Sequence, residues 1–214
     1  MSEPLKVDVW SDVQCPWCFI GKRKFESGVA MFGDDVEVEF HSYQLAPDSP
    51  IDVEGSHLDY LAAKFGMPEA QVREMLDRVT GIAIEVGLTY DFESVQQTNT
   101  TRAHELLHLA NDRGLQDQLK ERLMVAYFVE GRHIGHVDDL VELAAEVGLD
   151  PAEARGALDD HRYAEAVEAD IAQAREYGIT GVPFYVIDGR FGVSGAQSPE
   201  AFASALAQAR DSRG

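Results

Sequence analysis

Cys15 and Cys18 are the only cysteines among the 214 residues, and they stand three positions apart in Cys15-Pro16-Trp17-Cys18. An apolar run precedes them and a helix-like run follows, so Cys15 is predicted to open a helix. Unpaired N–H groups and the dipole at a helix start favour a thiolate, and a cysteine pKa near 8.5 falls there to roughly 3.5–7.5. Cys15 is therefore predicted to attack disulfides as a nucleophile, and Cys18 to resolve the mixed disulfide.

The same two thiols allow two other interpretations. They can be packed core side chains, or they can supply half of a structural zinc site. Such a site usually has four ligands, so histidines or carboxylates would have to complete it. A C-x-x-C pair at a strand-to-helix turn favours redox chemistry over both, and no metal is predicted there.

The segments around the cysteines predict a βαβ unit. Residues 5–10 and 36–41 alternate apolar and polar side chains, as half-buried strands do. Pro16 suits the first position of a helix, where its missing N–H costs nothing, and apolar residues recur at helical spacing from there to about Gly33. The cysteines then lie at the first turn after the first strand.

The rest of the chain divides into a helical middle and a second α/β segment. Residues 56–177 follow helical periodicity and predict six or seven helices. Residues 182–187 and 190–193 predict two strands joined by the hairpin dipeptide Asp188-Gly189, and Ser198-Pro199-Glu200 begins a last helix. The simplest fold is α/β: the two ends form one sheet, and a helical module is inserted between them.

Composition and charge argue against two classes of partner. With 38 acidic against 18 basic residues the formal net charge is −20, which opposes binding to nucleic acid or to an anionic membrane surface. No segment approaches the ~18–20 apolar residues of a membrane-spanning helix. The N-terminus lacks a basic region followed by a long apolar stretch, so a cytoplasmic location is predicted. In that reducing compartment a lone C-x-x-C is more often catalytic or metal-binding than a structural bridge.

A second motif lies in the helical middle, where His104-Glu105-Leu106-Leu107-His108 matches H-E-x-x-H. On a helix the two imidazoles share a face, and Glu105 can act as a general base toward a metal-bound water. A third ligand would have to come from elsewhere, because the following residues continue none of the longer zinc-protease motifs. A zinc hydrolase is therefore a lesser alternative function.

Four segments spread along the chain form one combined pattern. The C-x-x-C pair stands at the first strand–helix junction, and Gly181-Val182-Pro183-Phe184 opens a late strand. Asn99-Thr100-Thr101-Arg102-Ala103-His104 and Gly192-Val193-Ser194-Gly195-Ala196-Gln197 extend the pattern over essentially the whole chain. Together these segments resemble the DsbA-like thioredoxin superfamily and, within it, the FrnE-like branch, which is related to 2-hydroxychromene-2-carboxylate isomerases and kappa-class glutathione transferases.

The resemblance implies a fold and a domain arrangement. It implies a thioredoxin fold with a large all-helical insertion. The thioredoxin-like domain is expected to be discontinuous, at residues 1–50 and 178–214. The insertion is expected to span residues 51–177.

The resemblance also implies roles for residues outside the cysteine pair. Pro183 is expected to form a cis bond with Val182 and to belong to the catalytic site, with the Val182 backbone pairing an extended substrate segment as an added strand would. An ordinary proline at the start of an edge strand is the plainer interpretation. The other residues expected to contact substrate are Trp17, His104, Asn99 and Gln197.

Each of these four residues also has a purely structural interpretation. Trp17 can cover the local core, and His104 can be a packed side chain. Asn99 can cap the helix that follows it. Gln197 can belong to the turn before the last helix.

Two departures from the relatives refine the expected activity. The dipeptide between the cysteines is Pro16-Trp17, where periplasmic DsbA has Pro-His, and loss of that histidine predicts weaker oxidising power. The related isomerases and transferases typically carry serine in place of Cys15 and use glutathione as their thiol. Two cysteines therefore favour a thiol-disulfide oxidoreductase or isomerase. The alternative is a glutathione-dependent isomerase or transferase of a small aromatic or polyketide-like compound.

The predicted cycle needs no bound cofactor besides its redox-active disulfide, with glutathione as an alternative co-substrate. The expected partners are a disulfide-containing protein or a low-molecular-weight thiol as substrate, and a cellular dithiol reductant. Relatives with such an insertion often pair, so a homodimer is also expected. Nucleic acid and membranes are not expected as partners.

Overall fold

The structure is a computed structural model, and it describes residues 3–213. Two compact units divide these residues. Unit 1 comprises the described residues up to Tyr43 together with those from Glu168 onward, and unit 2 comprises Gln44–Val167. Unit 1 contains the sheet and unit 2 is helical. Within residues 3–213 no helix combines the length and apolar character that crossing a bilayer requires.

The sheet of unit 1 has four strands in the order β2-β1-β3-β4. β1 pairs in parallel with β2 and antiparallel with β3, and β3 and β4 form an antiparallel hairpin. β1 is therefore a central strand, and it leads the chain directly into the cysteine turn. The strands are β1 Leu5–Ser11, β2 Val36–Ser42, β3 Phe184–Ile187 and β4 Phe191–Ser194.

Two helices cover one face of this sheet. α1 (Pro16–Phe32) begins at the cysteine motif, and α9 (Pro199–Asp211) packs against it. A Cβ placed on Gly28 of α1 would lie 2.6 Å from the Cβ of Phe202, so glycine permits the close approach of the two helices. Ser198 caps α9 as the sequence predicts.

The second half of α8 (Ala164–Glu176) packs on the opposite face of the sheet. The indole Nε1 of Trp10 donates to the Asp170 carbonyl at 3.0 Å. The Asp170 carboxylate lies 2.7 Å from Nδ1 of His41, whose Nε2 lies 3.1 Å from Asp8. These contacts assign the end of α8 to unit 1, whereas the sequence places residues up to 177 in the helical insertion.

The hairpin between β3 and β4 turns at Asp188 and Gly189, as predicted. Both residues have left-handed φ angles, 53° and 64°, which suit the Asp-Gly dipeptide. β3 begins at Phe184 rather than at residue 182. Pro183 has no N–H with which to extend the ladder.

The chain between β2 and β3 forms seven helices within the described residues, in line with the predicted six or seven. In unit 2, α4 packs against α5, α6 and α7. Side chains such as Leu106, Leu123 and Leu143 are fully buried there. The remaining helices are α2 His57–Phe65, α3 Glu69–Glu85, α4 Thr101–Asp112, α5 Gln116–Phe128, α6 Val137–Glu146 and α7 Pro151–Asp159.

Candidate active site

A tight turn between β1 and α1 positions the cysteine pair. The backbone N–H of Cys15 donates to the Asp12 carbonyl at 3.2 Å, and Gln14 donates to both carboxylate oxygens of Asp12. Cys15 has an extended backbone, with φ −92° and ψ 113°, and forms the N-cap of α1. The Cys18 N–H donates to the Cys15 carbonyl at 3.0 Å. The predicted placement of Cys15 at a helix start is confirmed.

The Val182–Pro183 segment lies against Cys15. The peptide bond between these two residues is cis, so the conformation implied by the family resemblance is confirmed. The thiol of Cys15 donates to the Val182 carbonyl, with 3.6 Å between Sγ and the oxygen. The Gly195 N–H donates to the Pro183 carbonyl at 2.8 Å and anchors the segment to the start of the following loop. The candidate nucleophile Cys15 thus lies in contact with the Val182 backbone, which is predicted to pair with substrate.

The electrostatics of the pair differ from the sequence prediction. The hydrogen-bonded Cys18 thiol raises the pKa of Cys15 well above its usual range, and burial of Cys15, which is 4% exposed, raises it further. The buried carboxylate of Asp12 acts in the same direction, while the Cys18 N–H lowers the pKa. The predicted depression is therefore wrong for the reduced pair, because burial and the neighbouring thiol outweigh the favourable N–H group.

Gly21 and Tyr185 complete the surroundings of the pair, and the sequence analysis singled out neither. A Cβ on Gly21, one turn after Cys18, would lie 2.8 Å from both the Pro183 ring and the Tyr185 hydroxyl, so only glycine leaves room for them. Tyr185 is 1% exposed, and its hydroxyl has no hydrogen-bond partner. Burial raises the pKa of Tyr185 well above its usual range, and charge on Cys18 and Cys15 would raise it further.

Two other predicted site residues lie in unit 1. Trp17 is 38% exposed, which agrees with the partial exposure expected of a substrate-contacting indole. The Gln197 side chain donates to the Ser194 carbonyl at 2.7 Å, so its amide nitrogen already stabilises the loop after β4. A substrate role for either residue stays a prediction.

A family model for the DSBA-like thioredoxin domain matches residues 6–207. The chain belongs to this family. The B. subtilis protein YwbO is 32% identical over 204 residues, and the match covers 94% of each chain. The crystal structure of a probable DsbA oxidoreductase from Streptomyces coelicolor superimposes with a TM-score of 0.93 at 40% identity, covering 98% of this chain and 92% of that one.

More distant structures share the DsbA-like thioredoxin fold. A 2-hydroxychromene-2-carboxylate isomerase superimposes with a TM-score of 0.68 at 15% identity, covering 97% of this chain and 96% of that one. At this identity the likeness concerns the fold alone. The predicted fold, a thioredoxin fold with large helical content, is therefore confirmed.

Asn99 and His104, the other predicted substrate contacts of this DsbA-like chain, lie in unit 2. The Asn99 side chain donates to the carbonyls of Pro47 and Ser49, and its Oδ1 accepts the Thr101 N–H at 2.8 Å. It therefore supports the start of α4, close to the cap interpretation, although Thr100 is the N-cap residue. His104 is 1% exposed within α4. Substrate contact by these residues is untested.

The H-E-x-x-H segment uses its polar groups within unit 2. Glu105 Oε1 lies 3.0 Å from Nδ1 of His161, and the His108 ring stacks on Tyr163. In the described part of the chain two residue groups have ligand atoms close enough for a metal, and neither includes His104 or His108. The zinc-hydrolase alternative therefore has no support.

Those two groups are also explained by hydrogen bonding. His41 places both ring nitrogens against carboxylates, with Asp8 and Asp170 as the partners. His133, grouped with Asp52 and His136, accepts two backbone N–H groups at Nδ1, so its proton lies on Nε2, which faces the Ile51 carbonyl at 3.2 Å. In both groups a histidine already has hydrogen-bond partners at both of its ring nitrogens.

Proposed function

We propose that this DsbA-like protein is a cytoplasmic thiol-disulfide oxidoreductase or isomerase whose redox centre is Cys15 and Cys18. The observation that carries the proposal is the meeting of the two hydrogen-bonded thiols with the Val182 carbonyl, 3.6 Å from Cys15 Sγ. Family membership and the 40% identity to a probable DsbA oxidoreductase support the same class of reaction.

The proposed cycle transfers two electrons from the dithiol to a substrate disulfide. Cys15 loses its proton and attacks one substrate sulfur; the substrate S–S bond breaks, and the other substrate sulfur leaves as a thiolate that takes up a proton. Cys18 then loses its proton and attacks Cys15 Sγ. This step releases the remaining substrate sulfur and forms the Cys15–Cys18 disulfide. A cellular dithiol reductant returns the pair to its reduced form.

The segment at Val182 and Pro183 is proposed to place the substrate. An extended peptide pairing with the Val182 backbone would bring its disulfide toward Cys15 without requiring a particular side-chain sequence. The partly exposed indole of Trp17 offers an apolar contact beside the reacting sulfurs. This arrangement suits a range of disulfide-containing substrates.

The partners follow from the same proposal. The substrate is a disulfide-containing protein or a low-molecular-weight thiol compound, and the cycle needs no cofactor beyond its own disulfide. In a reducing cytosol the resting form is the dithiol, which favours reduction or shuffling of disulfides. The net charge of −20 disfavours nucleic acid and anionic membranes, and a homodimer stays an expectation.

A glutathione-dependent isomerase or transferase is the alternative for the same fold. The isomerase neighbour supports the fold and not the activity. Cys15, in place of the serine expected of those relatives, supports the dithiol cycle instead. Asn99 and His104, the predicted substrate contacts in the helical unit, are hydrogen-bonded and buried there, respectively.

Trapping of mixed disulfides tests the proposal. In Cys18→Ala the complex on Cys15 cannot be resolved, so the variant should accumulate covalent adducts in cell extract. The double variant Cys15→Ala/Cys18→Ala, which lacks both thiols, is the matched control. Protein adducts found on the single variant alone support the oxidoreductase, and glutathione as the sole adduct supports the alternative. The absence of any adduct contradicts both.

A further inference from the structure

A cavity of about 320 Å³ lies within unit 2, at the start of α4. Its lining includes Ser49, Asn99, Arg102 and His161, and every lining residue belongs to Gln44–Val167. The thiol chemistry proposed above does not use these side chains. The cavity is therefore a candidate binding site for a ligand that the proposed thiol chemistry does not involve.

Arg102 brings a positive charge to this cavity. It is half-buried, and no carboxylate among residues 3–213 forms an ion pair with its guanidinium. The chain carries 38 acidic residues, and arginines such as Arg113, Arg122 and Arg213 are paired with them. A planar guanidinium with five N–H donors is well suited to the two oxygens of a carboxylate or phosphate.

His161 lines the same cavity, and a buried carboxylate holds its ring in place. Its Nδ1 lies 3.0 Å from Oε1 of Glu105, a carboxylate that is 1% exposed. The carboxylate accepts the Nδ1 proton and fixes the ring, and in the imidazolium form Nε2 is a second donor, available to a further partner. The His161 backbone has a φ of 49°, in the left-handed region, which histidine and asparagine adopt more often than most other non-glycine residues.

Three buried polar atoms without partners belong to residues that line this cavity or adjoin or contact a lining residue. Ser49 Oγ, which belongs to a lining residue, has no hydrogen-bond partner. The same is true of Oγ1 of Thr100, which is 1% exposed and adjoins the lining residues Asn99 and Thr101, and of Oε2 of Glu105. Buried groups of this kind normally find partners, since an unmade hydrogen bond costs about 1–3 kcal/mol. Two of the three are hydroxyls that can donate to an anion.

We propose that this cavity binds a compact oxyanion, a phosphate or carboxylate group, through the Arg102 guanidinium, His161 and the Ser49 hydroxyl. The ligand supplies acceptors to the Arg102 guanidinium, to the Ser49 hydroxyl and to Nε2 of the imidazolium form of His161, and it neutralises the charge of Arg102. At about 320 Å³ the cavity is larger than a single oxyanion group, so a small metabolite bearing such a group fits as well as the free ion. The proposal is independent of the proposed redox activity, because all its residues lie in unit 2 and none is a thiol.

Titration calorimetry on the whole protein tests this site with two probes, inorganic phosphate and succinate. The test variant is Arg102→Gln, and the matched control is Arg78→Gln, which removes the same charge from an exposed position on α3. Loss of a charge-assisted contact should weaken binding about tenfold or more in Arg102→Gln. Binding by Arg78→Gln should stay within about twofold of the parent, because Arg78 is exposed and is not among the residues that line the cavity.

Each outcome decides the proposal. Saturable one-to-one binding of either probe, lost in Arg102→Gln and kept in Arg78→Gln, supports it, and the tighter probe identifies the oxyanion. Equal binding in both variants, or no saturable heat with either probe up to about 10 mM, overturns it. Should Arg102→Gln fail to fold, His161→Asn serves in its place, because asparagine tolerates the left-handed backbone. Unchanged binding in that variant is likewise a refutation.

Discussion

The cysteine turn of unit 1 and the H-E-x-x-H helix of unit 2 each carry a sequence motif that predicts chemistry. The two motifs differ in the groups that surround their reactive side chains. At the turn, Cys15 Sγ contacts a second thiol and the Val182 carbonyl. On α4, Glu105 is committed to His161, and His108 lies against a tyrosine ring. A motif becomes a credible reactive centre when its reactive atoms face one another, and only the first motif meets this condition.

The hydroxyls of two buried tyrosines show a related difference. Tyr185, near the cysteine turn, has no hydrogen-bond partner, whereas Tyr127 in unit 2 donates to Gln97 Oε1 at 3.3 Å. Both side chains are at most 1% exposed. The same buried group therefore has different surroundings in the two units: the Tyr185 hydroxyl lies near the proposed redox site without a partner, and the Tyr127 hydroxyl has an amide acceptor.

The largest expected effect separates the two motifs by activity. Cys15→Ser should lower the rate of insulin disulfide reduction about 1000-fold, because an alcohol cannot replace the thiolate in disulfide exchange. His108→Ala is the control and should leave that rate within about twofold, since the ring stacks on Tyr163 in unit 2 and takes no part in the proposed thiol chemistry. Metal analysis of protein purified without chelator should show no difference between parent and His108→Ala. Undiminished insulin reduction by Cys15→Ser would remove the basis for the redox proposal.

The pH dependence of stability should report His41 in unit 1. Burial opposes its charged form, but Asp170 and Asp8 raise the pKa of His41 to about 9 from a usual 6.5. A raised pKa means that this contribution is complete below pH 6.5 and is lost as the pH rises to about 9. We expect a loss of roughly 2–3 kcal/mol in the free energy of unfolding across that interval.

Urea unfolding at pH 6, 7.5 and 9 measures this loss. In His41→Gln the stability should already be low at pH 6 and should change less with pH. The difference between the two proteins isolates His41 from other groups that titrate in the alkaline range. Parallel curves for parent and variant would show that the charge on His41 does not stabilise the fold.

A smaller effect concerns the reactivity of Cys15. The Cys18 thiol is the largest cause of the raised Cys15 pKa, so Cys18→Ala should lower that pKa and increase the thiolate fraction at neutral pH. A drop of one unit makes alkylation by iodoacetamide about tenfold faster at pH 7. In the parent the rate should keep rising beyond pH 9, and in the variant it should level off earlier. Rates in urea-unfolded protein control for reagent access, and identical pH profiles would exclude the proposed effect of Cys18.

The smallest effect compares the two tyrosines. Tyr185→Phe removes a hydroxyl without a partner, so the stability should stay equal or rise by up to about 1 kcal/mol. Tyr127→Phe breaks a buried hydrogen bond and should lower the stability by about 1 kcal/mol. Chemical unfolding of both variants gives the comparison. A clear loss in Tyr185→Phe would mean that its hydroxyl has a partner after all.

Much of the fold could be predicted because its signals are local. The alternation in β1, the proline at the start of α1 and the Asp188-Gly189 turn each act through neighbouring residues, and each prediction was confirmed. The end of α8 was assigned differently because its place depends on Trp10, 160 positions away from Asp170. Periodicity does not reveal which face of a sheet a helix covers.

The site divides in the same way. The placement of Cys15 at a helix start follows from its own segment. Its pKa depends on its burial and on its interactions with Cys18 and Asp12, and these exist only in the folded chain. The buried Asp12 was missed although it precedes the cysteines by three positions, since aspartate is ordinarily exposed. Gly21 and Tyr185 carried no motif that marks them as neighbours of Pro183.

The two tryptophans of the chain occupy very different surroundings, and this gives the protein an optical property. Trp10 stacks on His41 with 4.6 Å between ring centroids, and a pKa of about 9 keeps that imidazole cationic at neutral pH. A cationic imidazole quenches indole emission on contact, so Trp17, between the cysteines, should supply most of the fluorescence. Thiols and disulfides quench an adjacent indole to different extents. The emission of the unlabelled protein should therefore follow the oxidation of its cysteine pair in real time.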